Sequence, residues 1–443
     1  MAHRKFNHYV RQLVAAEINR FARYYNEVIQ VEPLPHDEGT LIELIDNKKN
    51  QTLLKRSQLK NASTHADSGR LIVLNGNLNY AVDIHELLTG LKAKLSRSDR
   101  IVAVVFNPYF RWLYRLADLL GLRDAAQPVT FVTRTGLSNL MKATGFELVR
   151  IRNSAYIPFR LFGLGNLINK VLPVIPLIRW LAFSSVLVLR PIKPSKRKPS
   201  LSIVIPARNE AGNIENALKR LPVMKGVTLE VLFVEGNSTD NTWQEIQRVV
   251  ELDEYAGFSP KALQQPGKGK KDATMTGFEA AQMELVTVLD ADLTMPPETI
   301  PRFYQAYCDG HADMINGNRL MYPMEDEAMR FLNRLGNIFF AKSLSHTLDL
   351  PIGDSLCGTK LFSRTDHHRM LAWLADFGEF DPFGDFQMLF PAAELCLGSV
   401  DIPIRYGART YGSTNINRFR DGLKLLKMTF QGFIKIRVGA TPK

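Results

Sequence analysis

Two aspartates one residue apart, Asp290 and Asp292, follow the apolar run 285–289 and open the turn Asp-Ala-Asp-Leu-Thr-Met-Pro-Pro. In an extended chain, positions i and i+2 point the same way, so both carboxylates are predicted to face one site. Side by side they repel unless protons or a cation neutralise them. Mg2+ or Mn2+, held by one or two carboxylates and completed by phosphate oxygens, is the usual solution. Such an ion also neutralises a departing diphosphate. Alone, the pair is equally compatible with a plain strand-end turn, so its meaning depends on what precedes it.

Three segments precede it in order. Residues 201–205 are apolar and run into Pro206, Ala207, Arg208, Asn209 and Glu210, followed by a helical pattern over 211–221. This is the opening strand–helix unit of a nucleotide-binding sheet, whose ligands sit at the carboxyl ends of the strands. Asn209 is alternatively a helix cap. The pattern recurs at 229–234, ending in Glu235, Gly236, Asn237, Ser238, Thr239 and Asp240. A carboxylate at a strand end can accept hydrogen bonds from a base or a ribose, and Ser238 or Asp240 can cap the next helix. The third segment, 267–273, reads Gly-Lys-Gly-Lys-Lys-Asp-Ala at a helix start. Backbone amides, the helix dipole and ammonium groups there all favour a diphosphate.

With this order established, residues 201–415 resemble the family 2 glycosyltransferases, most closely the dolichyl- or polyprenyl-phosphate sugar transferases. The stretches that carry the resemblance are VIPARNEAGNI, VEGNSTDNT, GKGKKDA, LDADLTMPPE, INGNRL, GDSLCGTKLFSR and IPIRYGARTYGST. Glu235 and Gly236 stand where the family has an Asp pair. The closing Lys of the family is replaced by Thr414 and Asn415, with Arg418 nearby. The resemblance implies a GT-A catalytic domain with a mostly parallel α/β sheet, and an inverting, metal-dependent transfer from a UDP- or GDP-sugar to a polyprenyl-phosphate-like lipid.

By that resemblance Glu210 and Glu235 contact the nucleoside. Lys268 and Arg319 hold the diphosphate, Asp290 and Asp292 the Mg2+ or Mn2+, and Arg409 and Ser413 meet phosphate. Pro206, Arg208, Asn209, Asn237 and Ser238 belong to the same donor-side loops. A lipid phosphate is already a nucleophilic anion and needs little base help, whereas a hydroxyl acceptor requires a base. Asp385 and Asp354 are the candidates; Asp385 is preferred, with capping of the helix through residue 395 as its alternative role. His346, His367 and His368 read as surface histidines.

The rest of the chain positions this half. Of 443 residues, 45% are hydrophobic and 23% charged, an ordinary globular balance for two or three domains. The net charge of +12 favours an anionic partner, a membrane or a phosphorylated substrate; no nucleic-acid motif accompanies it. Cys308, Cys357 and Cys396 have neither CxxC pairing nor metal-ligand spacing, which predicts a reducing, cytoplasmic setting.

Residues 1–157 alternate strand and helix patterns, with strands at 71–75, 101–106 and 145–151 and helices at 83–95 and 110–122. That order implies a second α/β domain. Residues 71–157 resemble the later half of a class I S-adenosylmethionine-dependent methyltransferase. The Gly-rich turn that such a fold places after its first strand is missing from residues 1–70, so the domain is expected to be degenerate and not to bind S-adenosylmethionine. Residues 158–190 are apolar with cations at Arg160, Lys170, Arg179 and Arg190. Pro173 and Pro176 divide them into two short helices suited to a membrane interface, or to a hairpin packed between domains. Residues 191–200, with three prolines and four cations, form a linker. The catalytic domain is placed at 201–417 and an amphipathic helix and tail at 418–443. No uncharged run reaches the length of a spanning helix, so the protein is expected on the inner face of a membrane as a peripheral enzyme.

Overall fold

The computed structural model describes residues 2–34, 40–46, 50–61, 69–119, 128–175, 178–322, 331–378, 384–409, 411 and 418–440. The chain forms two compact units, one of residues 1–193 with 433–443 and the other of residues 194–432.

The second unit is a seven-stranded sheet. In chain order its strands are β7 (Leu201–Ala207), β8 (Leu229–Glu235), β9 (Pro260–Gln264), β10 (Leu285–Val288), β11 (Met314–Asn318), β12 (Lys360–Ser363) and β13 (Ser399–Pro403). Their order across the sheet is β13-β11-β12-β10-β7-β8-β9. The central strands are mostly apolar because helices cover both faces of a mostly parallel sheet; Ser202, Glu230 and Thr287 are buried polar exceptions. β7, β8 and β10 are buried along almost their whole length, and Ile203, Val231, Phe233, Leu285, Ile300 and Phe303 anchor the core. The helix Lys270–Ala280 lies against β7 at Gly277. A Cβ there would sit 2.2 Å from Cγ1 of Val204, so only glycine permits this approach.

Only β12 runs antiparallel to its neighbours β10 and β11. Its start therefore lies at the same edge as the ends of β7, β8, β10, β11 and β13. Six loops far apart in sequence converge on that edge for this reason.

The first unit is a six-stranded sheet of β1 (Glu27–Val31), β2 (Gln51–Leu54), β3 (Arg70–Asn75), β4 (Arg100–Phe106), β5 (Phe146–Ser154) and β6 (Ser184–Pro191). The order is β2-β1-β3-β4-β6-β5, with β6 antiparallel to β4 and β5. The strand and helix patterns read at 71–106 coincide with β3, the helix Ile84–Lys94 and β4. Residues 184–190 are a correction: they are not an interfacial helix but most of β6. Val186–Leu189 are buried there because both sheet neighbours and both faces are covered. The upstream part, 159–175, does carry the short helix Leu164–Val171 and leaves Phe159, Leu161, Phe162, Leu164 and Leu167 exposed. The helix Arg418–Gly432 ends the second unit, and residues 433–440 return to the first.

Candidate active site

The acidic pair lies just past β10 rather than in it. Residues 291 and 292 are in a turn and Leu293 adopts φ 54°, so the alternation expected of a strand does not orient them. Each carboxylate instead has its own cation. Lys270 Nζ lies 2.6 Å from Oδ1 of Asp290. Arg409 Nη2 lies 2.6 Å from Oδ2 of Asp292 and Nη1 lies 3.6 Å from Oε1 of Glu210. Oδ1 of Asp292 accepts hydrogen bonds from the backbone N–H and the hydroxyl of Thr294, at 3.1 and 2.7 Å.

Charge alternates outward from this centre. Burial pushes the Asp290 carboxyl up, but the cations of Lys270, Arg319 and Lys360 prevail and hold it below the usual range. Desolvation disfavours the Lys270 ammonium, yet Asp290, Asp385 and Asp292 together keep it above the usual lysine range. Lys360 is fully buried at the start of β12; it donates to the carbonyl of Cys357 and lies 3.4 Å from Oδ1 of Asp385. Asp385 is the first residue of the helix Asp385–Glu394, after Gly384. Burial raises Glu210, Asn213 donates to it at 2.7 Å, and neighbouring Asp292 raises it further, with a net upward shift. The Cys357 thiol, buried between charges, is pushed up to about 12 and is no nucleophile.

Asp354 is not an available base. Arg319 donates to it through Nε at 2.7 Å, Nη2 at 2.9 Å and its backbone N–H at 3.1 Å. Both carboxylate oxygens are taken. Burial opposes its charge, but Arg319 outweighs that and keeps the carboxyl low. Arg319, its guanidinium 5.3 Å from the ring centroid of Tyr406, is thus held rigidly beside the site.

The loops after β7, β8 and β9 are stitched to one another. Asn209, at φ 55°, does not cap its own helix: its Oδ1 accepts from the N–H of Thr239 at 2.8 Å, and its own N–H donates to Ser238 Oγ at 3.0 Å. Glu235, buried at the end of β8, accepts from the N–H of Ser238 at 2.5 Å. Asn237 reaches the carbonyl of Gly267 at 3.1 Å. Asp240, rather than Ser238, serves the next helix by accepting from the N–H of Thr242 at 3.0 Å, and it also receives the Tyr411 hydroxyl at 3.3 Å. Pro206, next to last in β7, pairs with Val234, and Arg208 is exposed.

The loop lysine that meets the acidic pair is Lys270. Lys268, the one singled out from sequence, is exposed one turn of loop away. The run Gly-Lys-Gly-Lys-Lys held both; spacing alone could not choose, because Gly269 at φ 90° redirects the chain between them. Ser413 lies outside the described residues, as do Thr414 and Asn415. His367 is buried, contrary to its surface reading, packed 4.9 Å from the Phe278 ring centroid and 6.1 Å from that of Phe362. Lys360, Tyr411 and Asp240 were not singled out as site components, although they lie within the stretches GDSLCGTKLFSR, IPIRYGARTYGST and VEGNSTDNT. Only the sheet edge shows that these side chains meet the acidic pair's neighbourhood.

Among the described residues no three His, Cys, Asp or Glu groups converge as a cage for a metal. Two neighbouring carboxylates are the oxygen ligands a hard divalent ion takes. Asp290 and Asp292 are the residues present for it.

Residues 202–371 match the family model for glycosyl transferase family 2. Curated relatives include a dolichol-phosphate mannosyltransferase of Pyrococcus furiosus, 30% identical over 137 residues, 30% of this chain and 37% of the relative. An undecaprenyl-phosphate 4-deoxy-4-formamido-L-arabinose transferase of Pseudomonas aeruginosa is 29% identical over 176 residues, 39% of this chain and 49% of the relative. A dolichyl-phosphate hexose transferase of Haloferax volcanii is 26% identical over 227 residues, 51% of this chain and 91% of the relative. The chain thus spans half or less of the first two relatives. Among solved structures, glucosyl-3-phosphoglycerate synthase of Mycobacterium tuberculosis is similar with a TM-score of 0.37 and 17% identity, over 55% of this chain and 81% of that one.

Proposed function

Starting from residues 202–371 as a family 2 glycosyltransferase domain, we propose that this protein transfers a sugar, with inversion, from a UDP- or GDP-sugar to a polyprenyl-phosphate-like lipid. The observation that carries the proposal is the strand-edge cluster in which Asp290 and Asp292 face Lys270 and Arg409 at 2.6 Å each. A nucleotide diphosphate with its cation is what that alternation of charge can exchange partners with. The names of the three curated relatives support the lipid phosphate acceptor.

In this reading the buried, loop-locked Glu235 and Glu210 meet the nucleoside, and Lys270 and Arg409 turn to the diphosphate oxygens. Arg319, immobilised by Asp354, adds fixed positive potential without moving. A phosphate oxygen of the acceptor attacks the anomeric carbon from the face opposite the diphosphate. One C–O bond forms as the other breaks, and the electron pair leaves with the nucleoside diphosphate. Preorganised cations on the leaving group are the main source of acceleration. The Mg2+ or Mn2+ held by Asp290 and Asp292 supplies further charge neutralisation there. A hydroxyl acceptor is the second reading, favoured by the buried carboxylate of Asp385 at the site.

We place the protein at the cytoplasmic face of a membrane. The exposed apolar side chains Phe159, Leu161, Phe162, Leu164 and Leu167, beside Arg160 and Lys170, support this; among the described residues no helix is long and apolar enough to cross a membrane. The first unit is taken as a methyltransferase-like module without S-adenosylmethionine. Between β1 and β2 the sequence offers the single Gly39, not the Gly-rich turn with which such a fold approaches its cofactor. The test is incubation of the full chain with polyprenyl phosphate, Mn2+ and labelled UDP- and GDP-sugars. Transfer to lipid from one donor is expected; folded protein that transfers from none refutes the proposal.

A further inference from the structure

The separation of the two acidic side chains onto two different cations bears on the order in which ligands enter. Resting on the donor-site reading above, we propose that Lys270 is the resident counter-ion of Asp290 and keeps a divalent metal from binding ahead of the nucleotide. Three features carry this. First, the ammonium is 2.6 Å from Asp290 Oδ1, so an ion binding that oxygen must displace it or stand against a like charge at contact distance.

Second, the space for this pair is reserved by the fold. Gly358, just before β12, faces it. A Cβ at that position would come within 2.4 Å of Lys270 Nζ and 3.0 Å of Asp290 Oδ2. The neighbouring cation, Lys360, is fully buried and tied to Cys357 and Asp385, so it cannot serve as the exchangeable one.

Third, Lys270 has an open path to solvent where Lys360 has none. It is the first residue of its helix, beyond Gly269 at φ 90°, and 42% of its side chain is open to solvent. A diphosphate arriving at this helix start offers the ammonium new oxygens, and its departure from Asp290 vacates a ligand for the metal. Arg409 on Asp292 repeats the arrangement. Nucleotide and metal then bind with positive coupling, and by linkage each raises the affinity of the other equally.

The test measures Mn2+ binding to the full chain by electron paramagnetic resonance, with and without UDP or GDP, for the wild type, K270M, K270Q and K270R. In the wild type the nucleotide is expected to tighten Mn2+ binding by about tenfold or more. K270M and K270Q should tighten Mn2+ binding without nucleotide by about tenfold and shrink the nucleotide effect by the same factor, while K270R, which keeps the charge, stays weak. If K270M and K270Q leave Mn2+-only affinity unchanged while nucleotide still enhances binding, the counter-ion role is wrong and the donor site stands. If no nucleotide tightens Mn2+ binding to any of the four proteins, this inference and the donor-site reading both fall.

Discussion

The Lys360 ammonium, wholly shielded from solvent, lies 3.4 Å from Oδ1 of Asp385. A carboxylate already committed to a buried cation is better suited to shaping the site than to taking a proton. With polyprenyl phosphate as acceptor, D385N is expected to keep kcat within about tenfold of the wild type, because general-base removal would cost about 10²–10⁴. Steady-state kinetics decide this. A loss beyond a hundredfold with unchanged nucleotide binding would move the assignment to a hydroxyl acceptor with Asp385 as its base.

The pairing of Arg319 with Asp354 predicts a stability effect with a definite pH dependence. D354A strands a buried guanidinium and is expected to cost about 3–5 kcal/mol near neutrality. The native carboxyl is held low by Arg319 against burial, so its contribution is complete above the unfolded carboxyl value and fades as pH falls through the lower native one. The gap in Tm between D354A and the wild type should therefore narrow below about pH 4. A gap that stays constant down to pH 3 would show that the pair contributes no linked stability.

His367 makes the opposite kind of statement, about a charge that folding excludes. Neither ring nitrogen meets a hydrogen-bond partner among the described residues, and the ring packs against Phe278 and Phe362. Burial, helped by neighbouring His368, pushes its pKa down to about 4. The unfolded state takes up the proton first, so stability is whole above about pH 6.5 and is lost as pH falls toward 4, approaching about 3 kcal/mol over that interval. H367F keeps an aromatic ring at the position and removes the titration. Its Tm should fall less than that of the wild type between pH 6.5 and 4.5, and parallel curves would disprove the assignment.

These particular residues show how far the sequence could be read. The strand-end loops of the second unit were legible because apolar runs ending in polar turns are a local signal, and a parallel sheet sends all such ends to one edge. Asp290, Asp292, Glu210, Glu235, Arg319 and Arg409 were placed at that edge in this way or through the family's motifs. Lys270 could not be separated from Lys268 without the backbone direction at Gly269. Asp354 looked like a free acid because its partner Arg319 is 35 positions away. β6 was hidden because an apolar stretch with scattered cations has no period that separates a central strand from an interfacial helix, and its partners β4 and β5 are distant in sequence.

The last prediction concerns the returning tail. Arg20 donates to the carbonyls of Val438 at 2.9 Å and of Lys435 and Ile436 at 2.7 Å each. Arg152 donates to Arg437 and Ile436, and Glu17 accepts from the N–H of Ala440 at 2.6 Å. Gly439 bonds the carbonyl of Lys170, at the end of the helix Leu164–Val171 that carries the exposed apolar side chains. A chain ending at Gly432 loses all of these partners, and each buried polar group so deprived costs about 1–3 kcal/mol. The loss falls on the first unit, since 433–443 belong to it, whereas the second unit keeps its own core. Limited proteolysis of the truncated chain should therefore cut within 1–193 well before 194–432, with nucleotide binding at the second unit retained. Equal resistance of the two units, or loss of nucleotide binding with the first unit intact, would show that the tail does not hold the first unit together.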